Sequence, residues 1–218
     1  MTSEWIECVS NGALFILIIS IVNLYWHKRF FDKSFSPIRW LLTVNLLVEG
    51  ACYVCFNHGT NNLPLLHLFT IVEFNLLTFY FLQLSQFRVK RSFQIYIVLA
   101  NLALVFNSAF IQSIFSFNSF SKSIVQLIII FMSLHYFINK KKNRSKQKDS
   151  QSHNMIVSAI LFYYASSLVI FMFSDFALQA FGGLHLGFWT INAFLNFIFQ
   201  LLILFAIWKR LKVTKYSF

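Results

Sequence analysis

Long apolar runs alternate with short polar segments along the whole chain. One run, LLHLFTIVEFNLLTFYF from Leu65 to Phe81, contains a single carboxylate, Glu73. A helix needs about 20 mostly apolar residues to cross the hydrocarbon core of a bilayer. Seven segments meet this requirement, and they predict an all-α polytopic membrane bundle of seven transmembrane helices in one domain. The predicted spans are about 8–27, 38–57, 64–86, 93–112, 121–139, 155–176 and 184–208.

The amino-acid composition leads to the same expectation. Hydrophobic residues make up 58% of the 218 residues, and phenylalanine alone occurs 29 times. Only 11% of the residues are charged, whereas soluble domains contain roughly 25%. A soluble domain of this length could not cover so much apolar surface. We therefore expect a multi-pass membrane protein in contact with the lipid bilayer.

The basic residues predict the orientation of the bundle. Of the 18 lysines and arginines, all but Lys122 fall on one side of the predicted membrane. The positive-inside rule then puts the N-terminus outside and the C-terminus in the cytoplasm, across a cell inner (plasma) membrane. Glu4 and Glu7 precede the first span, so we expect an uncleaved span rather than a signal peptide. The basic loop KKKNRSKQKDSQSH has no interleaved aromatic residues, and no nucleic-acid partner is expected.

Three acidic residues fall inside predicted spans: Glu49, Glu73 and Asp175. Each costs a few kcal/mol in hydrocarbon on insertion scales. We expect no lysine or arginine at comparable depth to pair with them. The acids are then either protonated or turned toward a polar interior that stabilises their charge. Both alternatives predict side chains that face other helices and not lipid.

The polar residues follow the helical repeat on several spans. Residues three, four or seven apart lie on one face of a helix, and this spacing groups polar residues on the second, third, sixth and seventh spans. Glu73 and Asn192 also reach similar predicted depths. We predict a ligand- or proton-binding pocket in the outer half of the bundle, although asparagines also join membrane helices by hydrogen bonds alone. The predicted pocket residues are Asn45, Glu49, His67, Glu73, Tyr80, Asp175, His185, Asn192 and Asn196.

Catalytic and metal-binding patterns are weak in this chain. It has no GxSxG elbow, no HExxH and no glycine-rich phosphate loop, so no catalytic residue is assigned. A metal site would use His67, His185, Glu73 and Asp175. Seven-helix zinc hydrolases carry HxxxH on the last span, but here Trp189 replaces the second histidine. We expect neither a metal nor another cofactor.

Three segments resemble a recurring pattern in small membrane proteins. They are LLHLFTIVEFNLLTFYF, ILFYYASSLVIFMFSD and LHLGFWTINAFLNFIFQLLILFAIWK. The chain resembles small seven-helix inner-membrane proteins of Bacteroidota, some of which are associated with sensor histidine kinases. Glu73, Asn192 and Asn196 match the glutamate and the paired asparagines of that pattern. The resemblance implies the fold and the location more than an activity.

Our leading hypothesis is a non-enzymatic sensor or signalling component. No output domain is expected after Trp208, so signalling would require a separate partner on the cytoplasmic side. One alternative is a small-solute or proton-coupled transporter that uses Glu49 and Glu73. A second alternative is a membrane-embedded lipid-modifying enzyme with His67, His185 and Asp175 at the interface.

Overall fold

A computed structural model of the chain describes the backbone of residues 2–85, 91–142, 150–180 and 184–215. Side chains are described for residues 5–84, 94–141, 151–173 and 187–213. Within these ranges the chain is helical apart from its connections. The helices are α1 Thr2–Trp26, α2 Ser36–Asn57, α3 Leu63–Ser85, α4 Arg91–Phe106, α5 Ser119–Lys142, α6 Ser150–Ala180 and α7 Leu184–Lys215.

In the described ranges, all seven helices are long and apolar enough to cross a membrane. Within the described residues, the prediction of an all-α protein with seven helices able to cross a membrane is confirmed. The candidate spans run from 18 to 27 residues, and each overlaps one predicted segment. A chain with this many apolar helices is a multi-pass membrane protein, because the bilayer is the solvent that accommodates their outward faces.

The turn between α2 and α3 is determined by local chemistry. Gly59 has φ 64, a left-handed conformation that favours glycine at the end of a helix. The backbone N–H groups of Thr60 and Gly59 donate to the carbonyls of Cys55 and Phe56, which closes the last turn of α2. The Asn61 side chain then accepts a hydrogen bond from the Leu63 N–H at 2.9 Å and begins α3. These bonds bring the chain directly back into the bundle.

Six helices form a closed ring in the order α1, α2, α3, α5, α6, α7, with α7 returning to α1. Helix α4 lies outside the ring and packs mainly against α3. Two reciprocal hydrogen bonds between Asn75 and Asn101, of 2.6 and 3.1 Å, join α4 to α3. Most other described side chains of α4 are exposed and apolar, as expected of a helix that faces lipid.

The two ends of the bundle differ in chemistry. We call the end where α1, α3, α5 and α7 finish the basic end, because it carries residues such as Lys28, Lys140 and Arg210. We call the opposite end the amide end; it contains Asn61, Asn107, Gln112, Asn118 and the π-helical turn Asn107–Ile111 that closes α4. The apolar core of Leu17, Leu77, Ile129, Ile160 and Ile203 lies between the two ends.

Close approach of α1 and α7 depends on Gly12. A Cβ atom at this position would lie 3.0 Å from the Phe197 ring, whereas a Cβ at Gly50 would meet nothing within 4 Å. We expect Gly12→Leu to destabilise the protein by about 1–3 kcal/mol through overpacking. The matched change Gly50→Leu should be neutral or slightly stabilising, because glycine is a poor helix former. Thermal unfolding in detergent measures both, and equal effects of the two changes would contradict this account of the helix contact.

Candidate functional site

A buried ion pair joins three helices near the amide end. The Lys122 ammonium on α5 contacts Glu73 Oε2 on α3, and the Tyr164 hydroxyl on α6 donates to Glu73 Oε1 at 2.7 Å. All three residues are less than one-tenth exposed. Both carboxylate oxygens therefore have a donor, which is the condition for keeping a charged group away from water.

The expectation that no basic residue lies at the depth of the acids is wrong. Lys122 belongs to the first turn of α5. Its side chain is long enough to reach inward, so the ammonium meets Glu73 and not the membrane surface. The sequence did contain a signal, since Lys122 is the one basic residue on its side of the predicted membrane.

Aromatic rings surround the ammonium of Lys122. Its Nζ lies 5.5 Å from the centre of Phe69, 6.0 Å from Tyr164 and 5.5 Å from Phe171. The electron-rich face of an aromatic ring attracts a cation at such distances, more strongly when water is excluded. The surroundings of Nζ thus combine one carboxylate with three rings and favour positive charge at this point.

A second aromatic group, made of Phe117, Phe171 and Trp189, continues from the ion pair. Phe117 and Phe171 are stacked with 5.8 Å between ring centres and 8° between planes. Trp189 meets Phe117 edge-on at 5.2 Å. These rings come from the connection before α5, from α6 and from α7. They cover the site with large, well-packed side chains.

Polar side chains at the amide end form a network beside the ion pair. The ring nitrogens of His67 are both engaged, with Ser108 Oγ at 2.9 Å and the Ser116 carbonyl at 3.1 Å. Asn118 Nδ2 donates to Thr70 Oγ1 at 3.1 Å, one turn from Glu73. The π-helical turn brings Asn107 into the same region, where its Nδ2 donates to Ser121 Oγ at 2.8 Å. Such π-helical turns are frequent at functional sites.

Of the predicted pocket residues on α2, Glu49 is half-buried and accepts a 3.4 Å hydrogen bond from Asn45. No described hydrogen bond joins Glu49 to Glu73.

On α7, Asn192 and Asn196 are half-buried. Asn192 Oδ1 and Gln200 Oε1 have no hydrogen-bond partner among the described residues, and no described hydrogen bond joins Asn192 or Asn196 to Glu73. The side chains of Asp175 and His185 lie outside the described residues. The structure therefore brings His67 and Glu73 to one region, and it leaves the α7 asparagines without a direct bond to that region.

Tyr80, also predicted for the pocket, belongs to a separate cluster toward the basic end. Its buried hydroxyl lies 3.1 Å from His153 Nδ1, and His153 Nε2 lies 3.5 Å from Asp32 Oδ2. Phe35 packs on the imidazole with 4.6 Å between ring centres. Burial raises the pKa of Asp32, but hydrogen bonds from His153 and Ser34 and the charge of His153 outweigh it, so the pKa lies below its usual value.

No family model, curated protein or solved structure matches this chain. Among the described side chains, no group of three or more histidine, cysteine, aspartate or glutamate residues lies close enough together to hold a metal ion. The described geometry offers a buried acid and a buried base that are paired with each other.

A double-mutant cycle tests the coupling between Glu73 and Lys122. Glu73→Gln leaves the lysine charge buried and unpaired, and Lys122→Met leaves the carboxylate unpaired; each should cost about 3–5 kcal/mol. The double variant removes both charges and should regain most of that loss. Tyr164→Phe should cost about 1.5–3 kcal/mol, as expected for one hydrogen bond to a charged group.

Reversible unfolding in mixed detergent micelles measures these differences. If the contact exists, the effects of the two single changes on the free energy of unfolding must be strongly non-additive in the double variant. Additive losses, with the double variant the least stable of all, would contradict the buried pair.

Proposed function

We propose that the protein is a non-enzymatic membrane sensor in which the Glu73–Lys122 ion pair is the responsive element. The observation that carries this proposal is the position of the pair, which joins α3 to α5, while Tyr164 adds α6. A small ligand or a proton that separates the two charges would release three helices at once. The described residues provide neither a catalytic motif nor a metal cluster that would favour an enzyme.

The pair is suited to a switch because its intermediate states are unfavourable. A charge left unpaired in a membrane interior costs several kcal/mol, so the pair is either formed or replaced by another arrangement. An element with two discrete arrangements converts a local event into a helix movement. The ligand must then interact differently with the two arrangements, since equal affinity for both shifts nothing.

A separate partner chain would contact the basic end of the bundle and respond to the displacement of the helices there. Helices α3, α5 and α6 run from the ion pair to that end, where Tyr80 meets His153 and Tyr136 donates to Asn154 at 2.9 Å. The resemblance to proteins associated with sensor histidine kinases favours a partner of that class. The predominance of lysine and arginine at this end supports a cytoplasmic orientation in an inner membrane.

Spin-label distances test the proposed helix movement. Labels would replace the exposed residues Trp40 on α2 and Ile138 on α5, in a protein with its three cysteines changed to alanine. Glu73→Gln and Lys122→Met break the pair from opposite sides, so both should shift or broaden the α2–α5 distance distribution by about 1–2 Å or more.

The matched control is Asn101→Ala, which breaks the amide pair between α3 and α4 without touching the charges. It should leave the α2–α5 distance unchanged. A wild-type distribution in both charge variants, or an equal shift in the control, would contradict the sensor mechanism.

A proton-coupled transporter is the second candidate, favoured by one further observation. Titratable groups occupy two levels of the same bundle: Glu73 with Lys122 near one end, and His153 with Asp32 toward the other. This arrangement would let protons be taken up on one side and released on the other. The sensor requires only one such level.

Proton flux into proteoliposomes distinguishes the two candidates. A transporter should acidify the interior of the proteoliposomes under an imposed potential, as reported by an enclosed pH-sensitive dye. Glu73→Gln and His153→Gln should each reduce the rate of acidification at least tenfold. Flux equal to that of protein-free liposomes would eliminate this candidate.

A further inference from the structure

The side chains around Lys122 are complementary to a cation. The carboxylate of Glu73 and the faces of Phe69, Tyr164 and Phe171 all attract positive charge. Aromatic faces with a neighbouring carboxylate are the usual recognition chemistry for organic ammonium groups. In the described arrangement the cation is supplied by the protein itself.

Buried amide oxygens next to this site have no hydrogen-bond donor. Asn118 lies four residues before Lys122, and its Nδ2 donates to Thr70 Oγ1. The hydroxyl proton of Thr70 is used on the Leu66 carbonyl, so Asn118 must present its NH₂ group to Thr70. Its Oδ1 is therefore an unpaired acceptor among the described residues, in a side chain that is only 4% exposed.

Gln126, one turn beyond Lys122 on α5, has a similar arrangement. Gln126 lies four residues after Lys122, and its Nε2 donates to Ser167 Oγ at 2.9 Å. The Ser167 hydroxyl donates to the Tyr163 carbonyl, which again fixes the orientation of the amide. Gln126 is fully buried, and its Oε1 meets no donor within the described part of the chain.

Lys122 is thus flanked, one helical turn away on each side, by a buried oxygen that lacks a donor. Unpaired buried acceptors cost about 1–3 kcal/mol each. An anion or an acceptor-rich ligand would be repelled by these oxygens, whereas a cation would not. The polar surroundings of Lys122 are therefore compatible with a cationic ligand.

We propose that the aromatic and carboxylate surroundings of Lys122 form a binding site for a small primary alkylammonium ligand, which Lys122 itself occupies in the described state. Lys122 acts as a tethered ammonium, and the ligand replaces it against Glu73. This inference rests on the sensor function proposed above and names the class of ligand that would trigger it. The apolar rings of Phe117 and Trp189 would pack against the short alkyl part.

Exchange of one ammonium for another removes the main energetic obstacle to switching. Simple separation of the pair would leave two buried charges unpaired, at a cost of several kcal/mol. During exchange the carboxylate keeps a cationic partner, and only the lysine must find a new position. The flexible four-carbon side chain of Lys122 can change rotamer and carry its ammonium toward the amide end, where α5 begins.

The test uses Lys122→Ala in lipid nanodiscs, titrated with n-butylammonium chloride. Trp189 fluorescence reports binding, because its ring lies 6.4 Å from Phe171, which in turn faces the site. We expect a saturable change with a half-saturation concentration at least tenfold lower than in the wild-type protein, where Lys122 competes. The change should be lost in Glu73→Gln/Lys122→Ala and in Trp189→Phe.

Three comparisons can overturn the proposal. It fails if n-butanol gives the same response, because the charge would then be irrelevant. It fails if sodium chloride gives the same response, because the site would then select an inorganic ion. It also fails if binding persists without Glu73. If Lys122→Ala does not fold, the wild-type titration decides: a saturable change absent from Glu73→Gln supports the site, and no change overturns it.

Failure of this proposal is distinguishable from failure of the sensor function. If charge variants move α5 but the amine does not bind, the sensor remains and responds to another stimulus. If the amine binds to the wild-type protein without changing the Trp40–Ile138 label distance, the site exists but the sensor mechanism is wrong.

Discussion

A carboxylate buried in a membrane bundle needs partners, and the pairing of Glu73 with Lys122 and Tyr164 meets that need here. Pairing does not make such a group a strong source of stability, since the cost of desolvation offsets much of the attraction. The main effect of the pairing is instead to restrict how α3, α5 and α6 can be arranged. An apolar contact between these helices tolerates sliding, whereas this three-residue contact defines one register. Specific geometry, more than stability, is what the charges provide.

Two pairs of amide side chains in the bundle differ in how fully they are hydrogen-bonded. Asn75 and Asn101 satisfy each other and join α4 to the ring, which is the ordinary role of amides between membrane helices. Asn118 and Gln126 satisfy one group of each amide and leave an oxygen unpaired among the described residues. The first pair is fully used in joining two helices, whereas each of the other two amides retains an unused acceptor.

The sequence predicted the seven helices because span length and apolar composition are strong local signals. It also predicted that Glu73 faces inward, since a charge facing lipid is costly. It failed at Lys122, because the reach of a long side chain from the first turn of a helix does not depend on hydropathy. The grouping of Tyr80 with Glu73 followed from their shared face of α3; the position of His153 on α6, which engages Tyr80, depends on a contact between distant helices.

The closed ring has a consequence for how the protein is made. Chains are synthesised from the N-terminus, and helices emerge in order. Glu73, Lys122 and Tyr164 all lie before α7, so the charged contact can form while the ring is still open between α6 and α1. Insertion of α7 then seals the assembly, with Gly12 admitting Phe197 at the seam. A nascent chain that ends before α7 would therefore hold the charged contact already formed, while the faces of α6 and α1 that α7 covers are still open.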